Sequence, residues 1–225
     1  MKTNSFFPFF GLLLALLTFS SCAQYQVFKT DSRDVTSYKD DVYVYEDKDL
    51  EVYYDLWEEG GFMIFKVHNR TDQHVYLSLD DSQFIMNGDS FSYNNAELGN
   101  MATGVILDIP PKSGKQVNGF PVTFSWMRIK NNKRFQKFQQ LNSPIKFSNV
   151  LTYSFDPQLT NKKTVDHGFW VSHIRKMKRS EFKEFKKLPV NKANKFYVRR
   201  QDAGNDGTII VELSLAILES LFLLL

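Results

Sequence analysis

Cysteine is almost absent: the chain has one, Cys22, in 225 residues. That excludes a disulfide framework, a paired-thiol redox centre and a cysteine zinc cage. Glycine and proline are sparse, at 11 and 7, and there is no collagen period, so the collagen-like class falls away. Net charge is only +3, from 28 Lys and Arg against 25 Asp and Glu, too little for a nucleic-acid binder without local clustering. What the chain does have is aromatic residues. Its 21 Phe and 10 Tyr are too many for disorder and favour strands. The length suits one domain with a sizeable core.

The N-terminus reads as a targeting segment. Lys2 supplies a positive start, residues 6–19 form an apolar run interrupted by Pro8 and Gly11, and Ser20 and Ser21 precede Cys22. Such a run fits a secretory signal and is too short to cross a hydrocarbon layer of ~30 Å. A peptidase that cleaves ahead of a lipid-modified cysteine needs small residues upstream and a thiol to accept the diacylglyceryl group. Leu16-Leu17-Thr18-Phe19-Ser20-Ser21-Cys22 resembles a bacterial lipobox, departing from it at Phe19, where Leu, Val or Ile is usual. The expectation is a signal peptide over 1–21, acylation of Cys22 and anchorage in a lipid bilayer. The alternative is an ordinary secretory signal followed by an incidental cysteine. Ala23, rather than Asp, follows the cysteine, which by analogy with enterobacterial sorting favours the outer membrane, facing the periplasm.

Residues 22–40 are polar and aperiodic and read as a tether or short first strand. From 41 to 200 the chain reads as one domain. Alternation at 42–45, 50–57, 62–68 and 75–79 predicts strands, with turn chemistry in Glu58-Glu59-Gly60-Gly61 and Asn69-Arg70-Thr71-Asp72-Gln73. Asn87-Gly88 between 83–86 and 90–93 predicts a tight hairpin, because Asn-Gly readily adopts positive φ. Further strands are expected at 105–109, 116–124, 145–155, 168–174 and 195–199. Phe135, Phe138 and Leu141 recur at helical spacing, predicting a short helix over 131–141. The stretch 180–188 predicts another, capped by Ser180, stopped by Pro189 and packed through Phe182, Phe185 and Leu188. Closely spaced strands and turns of this kind imply a mainly β, immunoglobulin-like antiparallel β-sandwich with one or two short helices.

The tail, 201–225, is discordant. From 208 onward it is apolar except for Glu212, Ser214, Glu219 and Ser220. A packed helix, a membrane helix burdened by two carboxylates, and an aberrant end after Arg200 all stay open.

Tyr25-Gln26-Val27-Phe28-Lys29-Thr30, Tyr53-Tyr54-Asp55-Leu56-Trp57-Glu58-Glu59-Gly60-Gly61, Ile109-Pro110-Pro111-Lys112-Ser113 and Pro144-Ile145-Lys146-Phe147-Ser148-Asn149 resemble phrases of uncharacterised lipoproteins of Bacteroides-like bacteria. The likeness covers most of 22–200 and fails in the tail. It implies lipidation and an envelope location, and adds no catalytic residue.

Chemistry-bearing groups are few. His68 and His74 flank a turn and would make a metal site if they met across a hairpin, with His167 and His173 as a second pair on one strand face. Turn-adjacent surface histidines are the plainer reading, so no metal and no cofactor is expected. Asp40-Asp41, Glu58-Glu59 and Asp80-Asp81 place neighbouring carboxylates on opposite strand faces, unlike a glycosidase pair. Lys112-Ser113-Gly114-Lys115 lacks the spacing of a phosphate loop. Charge is unevenly placed: residues 31–60 hold eleven acids and three bases, residues 174–200 eleven bases and two acids. Arg175, Lys176, Lys178, Arg179, Lys186 and Lys187 are thereby candidates for an anionic surface. The plainer account is that such runs pair within the fold or solvate it. The expected function is a lipid-anchored envelope protein with a non-catalytic binding or assembly role. Its expected partners are the bilayer through Cys22 and another envelope protein or glycan, without nucleic acid. The alternative is a hydrolase of an envelope polymer using carboxylates or a histidine-bound metal.

Overall fold

The computed structural model describes residues 24–35, 37–39, 42–94, 104–123, 126–127 and 134–200. The expected signal peptide, Cys22, the Asp40-Asp41 pair and the tail lie outside them.

Two antiparallel sheets form the body. The larger contains β1 (Gln24–Ser32), β6 (Val75–Met86), β7 (Asp89–Ser92), β8 (Ile106–Ile109), β10 (Phe135–Lys137), β11 (Lys146–Ser154), β12 (Lys163–Lys178) and β13 (Lys195–Arg199). Its order is β13-β1-β12-β11-β6-β7, with β10 beside β12 and β8 beside β6. The smaller runs β2 (Ser37–Lys39), β3 (Val42–Glu46), β4 (Leu50–Asp55), β5 (Ile64–Asn69) and β9 (Gly114–Val117) in that order. The expected mainly β, antiparallel sandwich is what the chain builds.

Alternation puts one face of each sheet into a shared core. Phe28, Phe147, Leu151, Phe169 and Val171 come from the large sheet, and Leu50, Val52, Tyr54, Phe65 and Val67 from the small one. Across the interface Tyr54 and Phe169 meet edge-on with ring centroids 5.2 Å apart, a geometry the ring quadrupoles favour. Asn69 ends β5 fully buried, and its Nδ2 donates to the Gln73 and Ile109 carbonyls at 2.7 and 3.0 Å. The Asn-Arg-Thr-Asp segment is therefore an internal tie.

Residues 24–32, within the stretch read as a tether or short first strand, are the nine-residue β1, paired with β12 on one side and β13 on the other. Other expectations change. Residues 131–141 contain no helix of the expected length among the described residues: 135–137 form β10, and Gln140–Asn142 make one 3-10 turn that leaves Leu141 90% exposed. The helix near 180, α1 (Arg179–Lys187), begins one residue early, with Lys178 at its cap position and no side-chain cap bond from it. Phe182 is buried and Phe185 partly so, while Leu188 is exposed.

Helix α1 packs on the outer face of the large sheet. Phe182 stacks on Tyr25 at 4.0 Å, and Val27, Met177, Trp57, Phe185 and Tyr197 complete a second small core. β1 is thus covered on both faces.

Candidate functional site

The histidine pairs weighed as a metal site do not form, and His167, read with the others as a surface histidine, is buried. His68 lies on β5 in the small sheet, between Glu51 of β4 and Gly114 of β9. His74 leads into β6 of the large sheet, and its Nδ1 lies 2.7 Å from Asp108 Oδ1. His167 and His173 share β12, but the pairing of β12 with β1 shifts register between Lys29 and Thr30. Ser172 is the extra residue. This bulge reverses the parity of the strand, so His167 points into the core and His173 away from it. Among the described residues no group of three or more His, Cys, Asp or Glu is placed to hold a metal.

His167 instead belongs to a buried polar cluster between the sheets. Asn149 Nδ2 donates to Tyr54 Oη at 2.7 Å, and Tyr54 O–H in turn lies 2.5 Å from His167 Nδ1. When the Tyr54 hydroxyl donates, Nδ1 accepts and the imidazole proton sits on Nε2, which is buried without a hydrogen-bond partner among the described residues. The Tyr45 ring covers the imidazole, centroids 3.9 Å apart. Burial lowers the His167 pKa to about 4, against the opposing pull of Asp34 and Asp47. Burial likewise holds the Tyr54 hydroxyl protonated, well above its ordinary value. Nearby, Asp49 accepts from Lys163 Nζ at 2.8 Å and Tyr153 Oη at 3.1 Å. Burial raises the Asp49 pKa, but these two bonds and the lysine charge outweigh it, so the carboxyl sits below its usual range.

A solvent-facing groove of about 550 Å³ lies on the large sheet. Arg33 and Asp34 come from the turn after β1, Lys146 and Ser148 from β11, Asp166 and Gly168 from β12. Its walls are pinned. The Ser32 hydroxyl donates to the Gly168 carbonyl at 2.6 Å and accepts from the amides of Asp34 and Val35, while Gly168 N–H donates to Asp34 Oδ2 at 3.1 Å. On the opposite wall Asn87 Oδ1 accepts from the Lys146 amide at 3.0 Å. Side chains of both signs, held on strands and short clips, suit a polar ligand recognised through hydrogen bonds and charge. A second hollow of about 340 Å³, sharing Asn87, is apolar and lined by Phe84, Phe91, Phe120 and Ile145.

The predicted basic residues gather at the other end of β1. Gln24 stands opposite Lys178, Gln26 opposite Lys176, and Tyr25 opposite Arg199. The Arg200 amide donates to the Gln24 carbonyl at 3.0 Å. Arg179 starts α1 at the same end. Further along, Arg175 pairs with Glu181 at 2.5 Å and Lys187 with Glu184 at 2.8 Å. Lys186 lies 5.9 Å from the Tyr197 ring centroid. These contacts stay within the basic block.

The groove had no signature in the sequence, because its charged residues come from three distant segments that only the strand order brings together. Comparison of the chain with family models, with curated proteins and with solved structures gave no match.

Proposed function

We propose that the chain is a lipid-anchored protein of the cell envelope, held at the periplasmic side of the outer membrane through acylated Cys22. It binds a polar envelope polymer or another envelope protein in its groove without covalent chemistry. The observation that carries this reading is a spacing. Cys22, at the end of a lipobox, stands two residues ahead of β1, and the groove opens where β1 ends. At ~3.3 Å per residue the nine-residue strand holds its two ends about 25 Å apart, which supports a groove that clears the headgroups when β1 stands away from the membrane.

Two measurements test this. Labelled palmitate is expected to enter the wild-type protein and not Cys22→Ser; equal labelling of both refutes the anchor. For the groove, Lys146→Ala is expected to weaken retention of the protein on isolated envelope glycan about tenfold, the worth of one charge-assisted hydrogen bond. Unchanged retention removes the groove from that role.

A further inference from the structure

The basic end of the large sheet surrounds the point where the chain arrives from Cys22. We infer that this end is a membrane-facing surface that docks on anionic lipid headgroups, giving the anchor a second, electrostatic attachment. The inference rests on the lipid-anchored reading and adds to it an orientation and a lipid preference.

Three observations carry it. First, reach: one residue, Ala23, separates Cys22 from Gln24, a span of at most ~7 Å from Cα to Cα, which is within the Debye length of ~8 Å at physiological ionic strength. Charges beside Gln24 would act on the headgroups before salt screens them. Second, placement: Lys178 is the cross-strand partner of Gln24, and Arg199 that of Tyr25, so each backbone lies about 5 Å from β1. Arg179 follows directly, and the Lys176 amide donates to the carbonyl of Arg134 at 2.8 Å, bringing that exposed arginine to the same end. Third, charge left over: among the described residues Lys178, Arg179 and Arg199 are exposed and have no carboxylate partner, whereas Arg175 and Lys187 spend theirs on Glu181 and Glu184. Neutralising the block from within would have used these carboxylates at the rim. The diacylglyceryl group on Cys22 supplies two chains of its own, so the basic rim beside it would set orientation and lipid preference rather than retention.

The test uses the full chain carrying Cys22→Ser, so that acylation does not mask the surface, with vesicles of phosphatidylcholine alone or mixed with phosphatidylglycerol. Any affinity of the N-terminal segment itself is common to all variants and cancels. The parent is expected to prefer the anionic vesicles and to lose that preference in molar salt. Lys178→Gln, Arg179→Gln and Arg199→Gln together should cut partition onto anionic vesicles about a hundredfold and leave neutral vesicles unaffected. The three Glu substitutions should cut it further, and the Gln variant keeps the test sound if the reversed charges disturb folding. Unchanged partition of both triple variants overturns the inference. So does displacement of the parent from anionic vesicles by single-stranded DNA at equal phosphate concentration, because the surface would then read polyanions at large. Palmitate labelling of the chain with Cys22 intact is unaffected by these substitutions, so a failed rim and a failed anchor are told apart.

Discussion

Gly61→Ala is expected to remove about 2–4 kcal/mol of stability, a large part of the ~5–15 kcal/mol a domain of this kind possesses. Gly61 has φ +69°, and a Cβ there would lie 2.6 Å from Cγ of Phe196. That ring cannot yield: Phe196 is fully buried and stacked on Phe28 at 4.7 Å. The backbone at Gly61 is also held, since its carbonyl accepts from Val122 N–H at 3.0 Å and the neighbouring Gly60 carbonyl from Thr123 N–H at 2.9 Å. Strain of the left-handed backbone costs about 1–2 kcal/mol and overpacking adds about as much again. Gly88→Ala separates the two contributions. Gly88 has φ +102° but nothing within 4 Å of the added carbon, so only the strain remains, about 1 kcal/mol. Urea midpoints of the two variants should differ accordingly. Equal losses would mean that Phe196 moves aside and that the core around β13 is looser than its packing indicates.

Acid is the second lever. The unfolded chain protonates His167 near its ordinary value of 6.5, whereas the folded chain resists until about 4. Between those values the unfolded state binds more protons, so stability rises with pH across the window, and full stability is present above 6.5. On descending to pH 4 the domain should lose about 3 kcal/mol from this one residue. Asp49, held below its usual range by Lys163 and Tyr153, withdraws its own contribution lower still, as pH falls through the folded carboxylate value. The check is denaturant unfolding of wild type and His167→Gln at neutral pH and at pH 5. The variant starts less stable, because Tyr54 and Asn149 lose their bonded arrangement, but its slope with pH should be much flatter. A variant that loses as much stability on acidification as the wild type would assign the acid sensitivity to carboxylates instead.

How far the sequence reaches depends on whether a residue's neighbours are local. The strands from 42 to 93 were readable because one face is covered and the turns between them announce themselves. Asn87 and Gly88 adopt φ 51° and 102° as an Asn-Gly hairpin should. β1 escaped for the opposite reason: it buries Gln26, Val27, Phe28 and Thr30, polar and apolar residues on both faces. Gln26 is inside because its side chain bonds both backbone groups of Met127, at 2.7 and 2.8 Å, a partner 101 residues away. The false helix over 131–141 came from Phe135, Phe138 and Leu141 at helical spacing, yet Phe135 sits in a strand opposite Arg175 and Leu141 is in water. The histidine pairing on β12 failed on one inserted residue, Ser172. The basic block was legible as a charge run. Its convergence on the start of β1 was not, because β12, α1 and β13 meet there only through the order of strands in the sheet.

That order has a mechanical side. β1 lies between β12 and β13 and is bonded to both along its first residues. A pull on the chain ahead of Gln24 runs along β1 and across two ladders whose bonds stand perpendicular to it. The bonds then share the load and must slip together, instead of opening one at a time as they would for an edge strand peeled from its end. Under the proposed anchorage such a pull would load β1 in shear, so that its bonds to β12 and β13 part together rather than in sequence.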